Sequence, residues 1–149
     1  MIPIQNIYYM LSYAFQVLNK QGYKNVATEK FDNVAELYSA ILIKGISEQL
    51  KCGLGREYIE QTESLSLLRG RIEISESLKT MSLLKKQLSC TYDDFSVNSY
   101  MNRVIKTTVD LLLQADISKD RKKVIRKLLV FFSDVELLDV HFINWNFQY

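Results

Sequence analysis

The chain has 149 residues, 48% of them apolar and 24% charged, which fits one soluble domain with enough apolar side chains to bury a core. Its 19 basic and 17 acidic side chains leave a net charge of +2, a smaller excess than a dedicated DNA-binding domain usually shows, so any contact with DNA has to be local or shared with a partner. One Pro and five Gly argue against a flexible linker, no apolar run approaches the ~20 residues that cross a bilayer, and the first residues lack a signal peptide's basic start and small-residue cleavage site.

Residues 6 to about 21 are expected to form a helix, because Ile7, Met10, Leu11, Ala14, Phe15 and Leu18 recur at three- and four-residue intervals. Asn6 is its candidate N-cap and Gly22 its candidate stop. A second helix is expected from Asn33 to Cys52, with Leu37, Ile41 and Ile46 on its buried face and Gly53 and Gly55 ending it. The pattern then changes. From Arg56 to Ile74, apolar and charged residues tend to alternate, which predicts one or two hairpins of short strands with Gly70 at a turn or bulge. A short helix over 75–84 follows, then a strand through Leu88, Cys90, Tyr92 and Asp94.

The last third returns to helix. Asn98 or Ser99 would cap a segment striped by Met101, Val104, Ile105, Val109, Leu112 and Leu113. Asp116-Ile117-Ser118 reads as a tight connection, with Ser118 capping a further helix through Val124, Ile125, Leu128 and Phe132. The tail from Val135 to Phe147, ending in Trp145 and Phe147, reads as a strand or an extended docking segment. The expected fold is one α+β domain over 1–149, with about four longer helices around a small antiparallel sheet with hairpins. Cys52 and Cys90, 38 residues apart, are expected as free thiols of a cytoplasmic protein.

The catalytic groupings are sparse. The sole histidine, His141, is expected to be structural or at the surface, so a Ser-His-Asp or Cys-His arrangement has no base. Two distant cysteines and one histidine do not make a zinc site, and neither phosphate-binding glycine motif occurs, so no metal or nucleotide cofactor is expected. Asp120-Arg121-Lys122 spells the second half of a PD-(D/E)xK nuclease motif, but at a predicted helix start instead of on a strand. No catalytic residue is assigned.

Three groups of residues remain as candidates for binding. Arg69 and Arg71 flank Gly70, and arginine forks suit phosphate or carboxylate; alternatively they pair with Glu73 or Glu63 across a hairpin. Asn102, Arg103 and Lys106 follow Cys90-Thr91-Tyr92-Asp93-Asp94-Phe95-Ser96, where an ion pair from Asp93 or Asp94 to Arg103 would fix the strand-to-helix junction. Lys119, Arg121, Lys122, Lys123, Arg126 and Lys127 put six cations within nine residues, suited to a DNA backbone or simply to a solvated helix face.

The order of these pieces carries a resemblance. Ile2-Pro3-Ile4-Gln5-Asn6-Ile7-Tyr8-Tyr9-Met10-Leu11-Ser12-Tyr13-Ala14-Phe15, Gly53-Leu54-x-Arg56-x-Tyr58, Leu68-Arg69-Gly70-Arg71-Ile72, Cys90-x-Tyr92-Asp93-Asp94-Phe95-Ser96 and Asn102-Arg103-x-x-Lys106 resemble the N-terminal, non-nuclease part of the McrC family, in order and at similar spacing. Gln5 departs from that pattern where a basic residue is common, and Asp94 where Glu is frequent. The resemblance implies a subunit of a modified-cytosine restriction system that docks on a McrB-like AAA+ GTPase hexamer and reaches DNA directly or through that complex. It implies no membrane and no small-molecule substrate. The family's C-terminal PD-(D/E)xK nuclease domain is expected to be absent from these residues. A DNA-binding module using the basic helix 119–127 is the alternative.

Overall fold

In the computed structural model, which describes residues 3–27 and 29–144, the chain divides into two compact units. One is formed by the segments up to Leu54 and from Tyr100 onward; the other is the run Gly55–Ser99 inserted between them in sequence. The helices are α1 (Ile4–Ala14), α2 (Gln21–Ala27), α3 (Val34–Cys52), α4 (Ile74–Lys79), α5 (Tyr100–Gln114) and α6 (Lys119–Leu129). The strands are β1 (Glu57–Leu65), β2 (Arg71–Ile72) and β3 (Leu88–Ser96), giving the expected α+β class with four longer helices and a small antiparallel sheet.

The helix expected over 6–21 starts earlier and breaks. Pro3, with extended backbone, precedes the first turn, and Asn6 lies inside it, its N–H donating to the Pro3 carbonyl at 2.9 Å. Proline suits this place because first-turn N–H groups have no helical acceptor to lose. The helix stops at Phe15, a 3-10 turn covers Gln16–Asn19, and Gly22 falls within α2. The cause is long-range. The buried Tyr8 hydroxyl lies 3.1 Å from the Leu18 carbonyl and 2.8 Å from that of Tyr23. In an unbroken helix residue 18 would stand ~15 Å along the axis from residue 8, so the chain has to double back. Tyr8 packs there with Val26, Leu37 and Ala40.

α3 has the limits its end residues dictate. The Asn33 side chain accepts the Glu36 N–H at 2.9 Å, and Gly53, at φ +87°, lets the chain turn off the last turn. The same two residues tie α3 to α6. Asn33 donates through Nδ2 to the Asp116 carbonyl at 2.8 Å. The buried Glu36 carboxylate accepts the Ser118 N–H and pairs with Arg121 Nε at 2.5 Å. Arg121 also reaches Glu29 at 2.6 Å and lies over the Phe31 ring. Ser118 caps α6 as expected, its hydroxyl accepting the Arg121 N–H at 3.4 Å. Ile125 and Phe132 are each 1% exposed, so the core face of α6 and the turn after it follows the predicted stripe.

The described part of the tail forms no strand. Within its described part, Val140–Phe142 forms a 3-10 turn begun by Asp139, whose carboxylate accepts the His141 N–H at 3.0 Å; Trp145 and Phe147 lie outside the described residues. A strand needs a neighbouring edge. Here side chains of α5 satisfy the tail's backbone groups instead.

In the inserted unit the order is β1-β3-β2, so β1 and β2 flank β3 and do not pair with each other as the expected hairpin would. β1 pairs with β3 in unbroken register from Glu57 opposite Ser96 to Leu65 opposite Leu88. Gly70 leads into β2 at φ +65°, where an added Cβ would stand 2.2 Å from the Thr91 carbonyl oxygen. α4 is shorter than the helix expected over 75–84, because Met81 is left-handed at φ 51° and a 3-10 turn follows. Ser77 on α4 anchors β3 by accepting the Ser89 N–H at 2.8 Å. Cys52 and Cys90 are free thiols, and among the described residues no helix is long and apolar enough to cross a membrane.

Replacing Glu36 with Ala strands both the Ser118 N–H and the Arg121 guanidinium. The expected cost is about 2–4 kcal/mol in urea unfolding, and an unchanged midpoint would contradict the role given to that carboxylate. Gly70→Ala is expected to cost about 2–4 kcal/mol through backbone strain and overlap with Thr91. Hydrogen exchange reads it as faster amide exchange across β3; protection equal to the parent chain would show that the bend tolerates a side chain.

Candidate functional site

Arg69 and Arg71 stand on opposite faces of the β3 edge. Arg71 is in register with Thr91, while Arg69 lies over the ring of Tyr92, the next residue on β3, with 4.0 Å from guanidinium carbon to ring centroid. Neighbours on one strand face opposite ways, and that alternation separates the two arginines. Arg69 also approaches Asp94 at 3.6 Å, and Arg71 Nε binds Glu73 at 2.8 Å. The Glu73 bond, and then its charge, raises the Arg71 pKa above the ordinary guanidinium value. Burial raises the Tyr92 hydroxyl, helped by its bond to the Glu63 carboxylate at 3.1 Å. Both arginines remain largely exposed and keep unused donors, so each can answer an external carboxylate or phosphate.

Asn102, Arg103 and Lys106 face inward along α5. Asn102 is 1% exposed and accepts from Gln49 Nε2 at 3.4 Å. Arg103 pairs with Glu136 at 3.3 Å, and Lys106 donates to the Val135 carbonyl at 2.5 Å. Thr107 accepts the Leu138 N–H at 2.9 Å, and Tyr100 exchanges hydrogen bonds with the backbone of Asn144. Tyr100, Arg103, Lys106 and Thr107 staple the segment from Val135 to α5, while Asn102 ties α5 to α3. Within its own unit Asp94 approaches Arg69, and within the other Arg103 pairs with Glu136. Their polar letters gave no hint of this, because the partners lie about 30 or more residues away.

The six cations of 119–127 divide. Arg121 points to the core side of α6 and is spent on Glu29 and Glu36. At 3.6 residues per turn, Lys119, Lys122, Lys123, Arg126 and Lys127 fall on one arc of about 140°. None of these five has an ion-pair partner among the described residues. They form a continuous basic face.

Sequence reasoning passed over the surface of the inserted unit. Tyr58 opposes Phe95 across β1 and β3, with ring centroids 4.9 Å apart, and the two are 75% and 51% exposed. Leu67, Leu68, Ile74, Leu78, Met81 and Leu84 are exposed as well. For 45 residues that is a heavy apolar load, and the signal was available: these side chains exceed what a three-stranded sheet and one short helix can cover. Glu36 was missed too, although Asn33-x-x-Glu36 has capping-box spacing.

Elsewhere the surface offers little for chemistry. His141 is exposed, and Asp120-Arg121-Lys122 sits in the first turn of α6 instead of on a strand. Among the described residues no three His, Cys, Asp or Glu side chains are grouped to hold a metal ion. A hollow of about 400 Å³ bordered by Phe15, Tyr38, Ile41 and Leu112 exposes no polar surface to orient a substrate.

The chain matches the family described as McrBC 5-methylcytosine restriction system component over residues 4–148. A curated relative, the type IV methyl-directed restriction enzyme EcoKMcrBC of Escherichia coli (strain K12), is 28% identical over 145 residues, or 95% of this chain and 42% of that protein. A chain of the Thermococcus gammatolerans McrBC complex, solved by cryo-EM, shares the fold with a TM-score of 0.61 and 17% identity, covering 97% of this chain and 46% of its own. A chain of the refined half-complex from the tetradecameric assembly of T. gammatolerans McrB AAA+ hexamers with bound McrC gives a TM-score of 0.57 at 17% identity, covering 85% and 33%. The present chain thus spans less than half the length of these relatives. By the extent of the match over residues 4–148, it belongs to the McrBC 5-methylcytosine restriction system component family.

Proposed function

We propose that this chain is a non-catalytic adaptor and activator in a McrBC-type restriction system. It docks on a hexameric AAA+ GTPase resembling McrB, raises that ring's rate of hydrolysis, and links the ring to DNA cleavage by a PD-(D/E)xK nuclease supplied outside residues 1–149. The observation that carries this reading is the apolar surface of the inserted unit, with Leu67 and Leu84 each 82% exposed. Patches of this kind mark protein–protein contacts. The assembly of McrB AAA+ hexamers with bound McrC, whose chain shares this fold, supports the same partner. Arg69 and Arg71 are the polar contacts at that surface. Arg103 and Lys106 contribute by holding the segment from Val135 in place, and Asn102 by joining α5 to Gln49 of α3. The reading places the chain in the cytoplasm with its DNA.

A second reading rests on the basic face of α6, where Lys119, Lys122, Lys123, Arg126 and Lys127 track a phosphate backbone while the inserted unit holds the ring. The two surfaces belong to different units and are compatible.

Adding the chain to its cognate ring is expected to raise the GTPase rate and to give a complex that co-elutes in gel filtration. No stimulation together with no co-elution would reject the adaptor. For the basic face, fluorescence anisotropy on a labelled duplex should show affinity falling steeply with salt. Reversing Lys122, Lys123 and Lys127 to Glu should make the log–log salt slope shallower by about three. A slope unmoved by those changes would remove α6 from the DNA contact.

A further inference from the structure

We infer that the end of the β1–β3 sheet bearing Tyr58 is a seat for an arginine or lysine side chain of the docking partner, held between the Tyr58–Phe95 rings and the Glu60–Asp93 carboxylates. The inference rests on the adaptor reading for the partner's identity and on geometry for the seat.

In an antiparallel pair, directly opposed residues project from the same face, and the next pair on that face lies two residues on. Tyr58 opposes Phe95, Glu60 opposes Asp93, and Thr62 opposes Thr91, so three successive rungs line one face. The first rung is an exposed aromatic pair. About 7 Å along the strands stands a pair of exposed carboxylates. Like charges directly opposite each other destabilise a sheet, yet neither Glu60 nor Asp93 has an ion-pair partner among the described residues. The cation on their side, Arg71, borders the same hollow and feels the Glu60 charge, but its ion pair is with Glu73. Thr62 and Thr91, by contrast, satisfy each other through a hydroxyl bond at 2.8 Å.

The opposite face of β3 shows what such a rung accepts. There the Arg69 guanidinium lies 4.0 Å over the Tyr92 ring and 3.6 Å from the Asp94 carboxylate. Ring and carboxylate together hold a cation by its attraction to the ring's negative face and to the charge beside it. β3 therefore presents aromatic and acid two residues apart on both faces: Tyr92 and Asp94 on one, Asp93 and Phe95 on the other. The chain fills the first from within and leaves the second to an outside cation. Charge complementarity selects a basic side chain, and the surrounding exposed leucines select one carried by a protein.

Two measurements on the full chain test this. Binding to the cognate AAA+ ring is compared for the parent, Glu60→Gln/Asp93→Asn and Tyr58→Leu/Phe95→Leu. The first pair of changes removes charge and relieves repulsion, so the fold should be retained. It is expected to weaken binding by about tenfold or more and to flatten its salt dependence. The leucine pair keeps apolar area but loses the ring faces, and about a threefold to tenfold loss is expected. Parent-like affinity in the charge variant would overturn the seat. Separately, acetyl-arginine-amide titrated at millimolar concentration into isotope-labelled chain should move the amide resonances of Tyr58, Glu60, Asp93 and Phe95, whereas the uncharged isostere acetyl-citrulline-amide should not. Equal shifts from both, or none, would overturn the seat as well. A ring that ignores the parent chain while arginine still selects those four residues would sink the adaptor and leave the seat standing.

Discussion

A single carboxylate organises the helical unit. Glu36 sits in the first turn of α3, buried, and its two oxygens accept the Ser118 N–H and face Arg121. One acid thus answers an N–H at the start of α6 and the charge of a residue on its first turn. A negative charge also suits the amino ends of both helices, where unpaired N–H groups concentrate partial positive charge. Because Asn33 joins Asp116 beside it, the starts of α3 and α6 are pinned at two points. In sequence the chain leaves for the inserted unit after α3 and returns at α5. Desolvating such a carboxylate is costly unless its partners are complete, which makes the arrangement close to all-or-none.

What could be read from the sequence is what depends on neighbours in the chain. Asn33, Gly53 and Ser118 mark helix ends through groups two to four residues away, and their ends stand as expected. The alternation through Cys90 and Tyr92 gives β3, and the series from Ile2 to Lys106 pointed to the family that the comparison shows. What could not be read depends on distant partners. Nothing near Tyr8 in the chain says that its hydroxyl will meet the carbonyls of Leu18 and Tyr23 and so break a helix whose apolar stripe continues unbroken. Nothing in Arg71-Ile72 says that these residues will pair with β3 instead of β1. Pairing choice is a tertiary matter, and a short strand carries too little pattern to decide it.

The cations show the same divide in chemical form. Arg69, Arg71, Arg103 and Arg121 have carboxylate partners within the chain, as do Lys44, Lys51 and Lys79, whereas the four lysines and Arg126 on the outer arc of α6 have none among the described residues. The planar guanidinium fork is rigid and weakly hydrated, so it accepts a fixed geometry against a carboxylate or an aromatic ring at modest entropic cost. Lysine keeps its hydration and its freedom, which suits a contact that slides along a phosphate backbone. A sequence reading that treats Arg121 as one more member of a basic run misses that it alone faces Glu36.

The two proposed contacts then differ in kind. The basic arc of α6 attracts through charge, and its pull on a duplex fades as salt rises. The contact proposed for the inserted unit adds exposed apolar area, which salt does not screen, to the charged seat of Glu60 and Asp93, so only part of its strength would fade with salt. A chain built this way can stay on a protein ring under conditions where its own hold on DNA is weak and reversible.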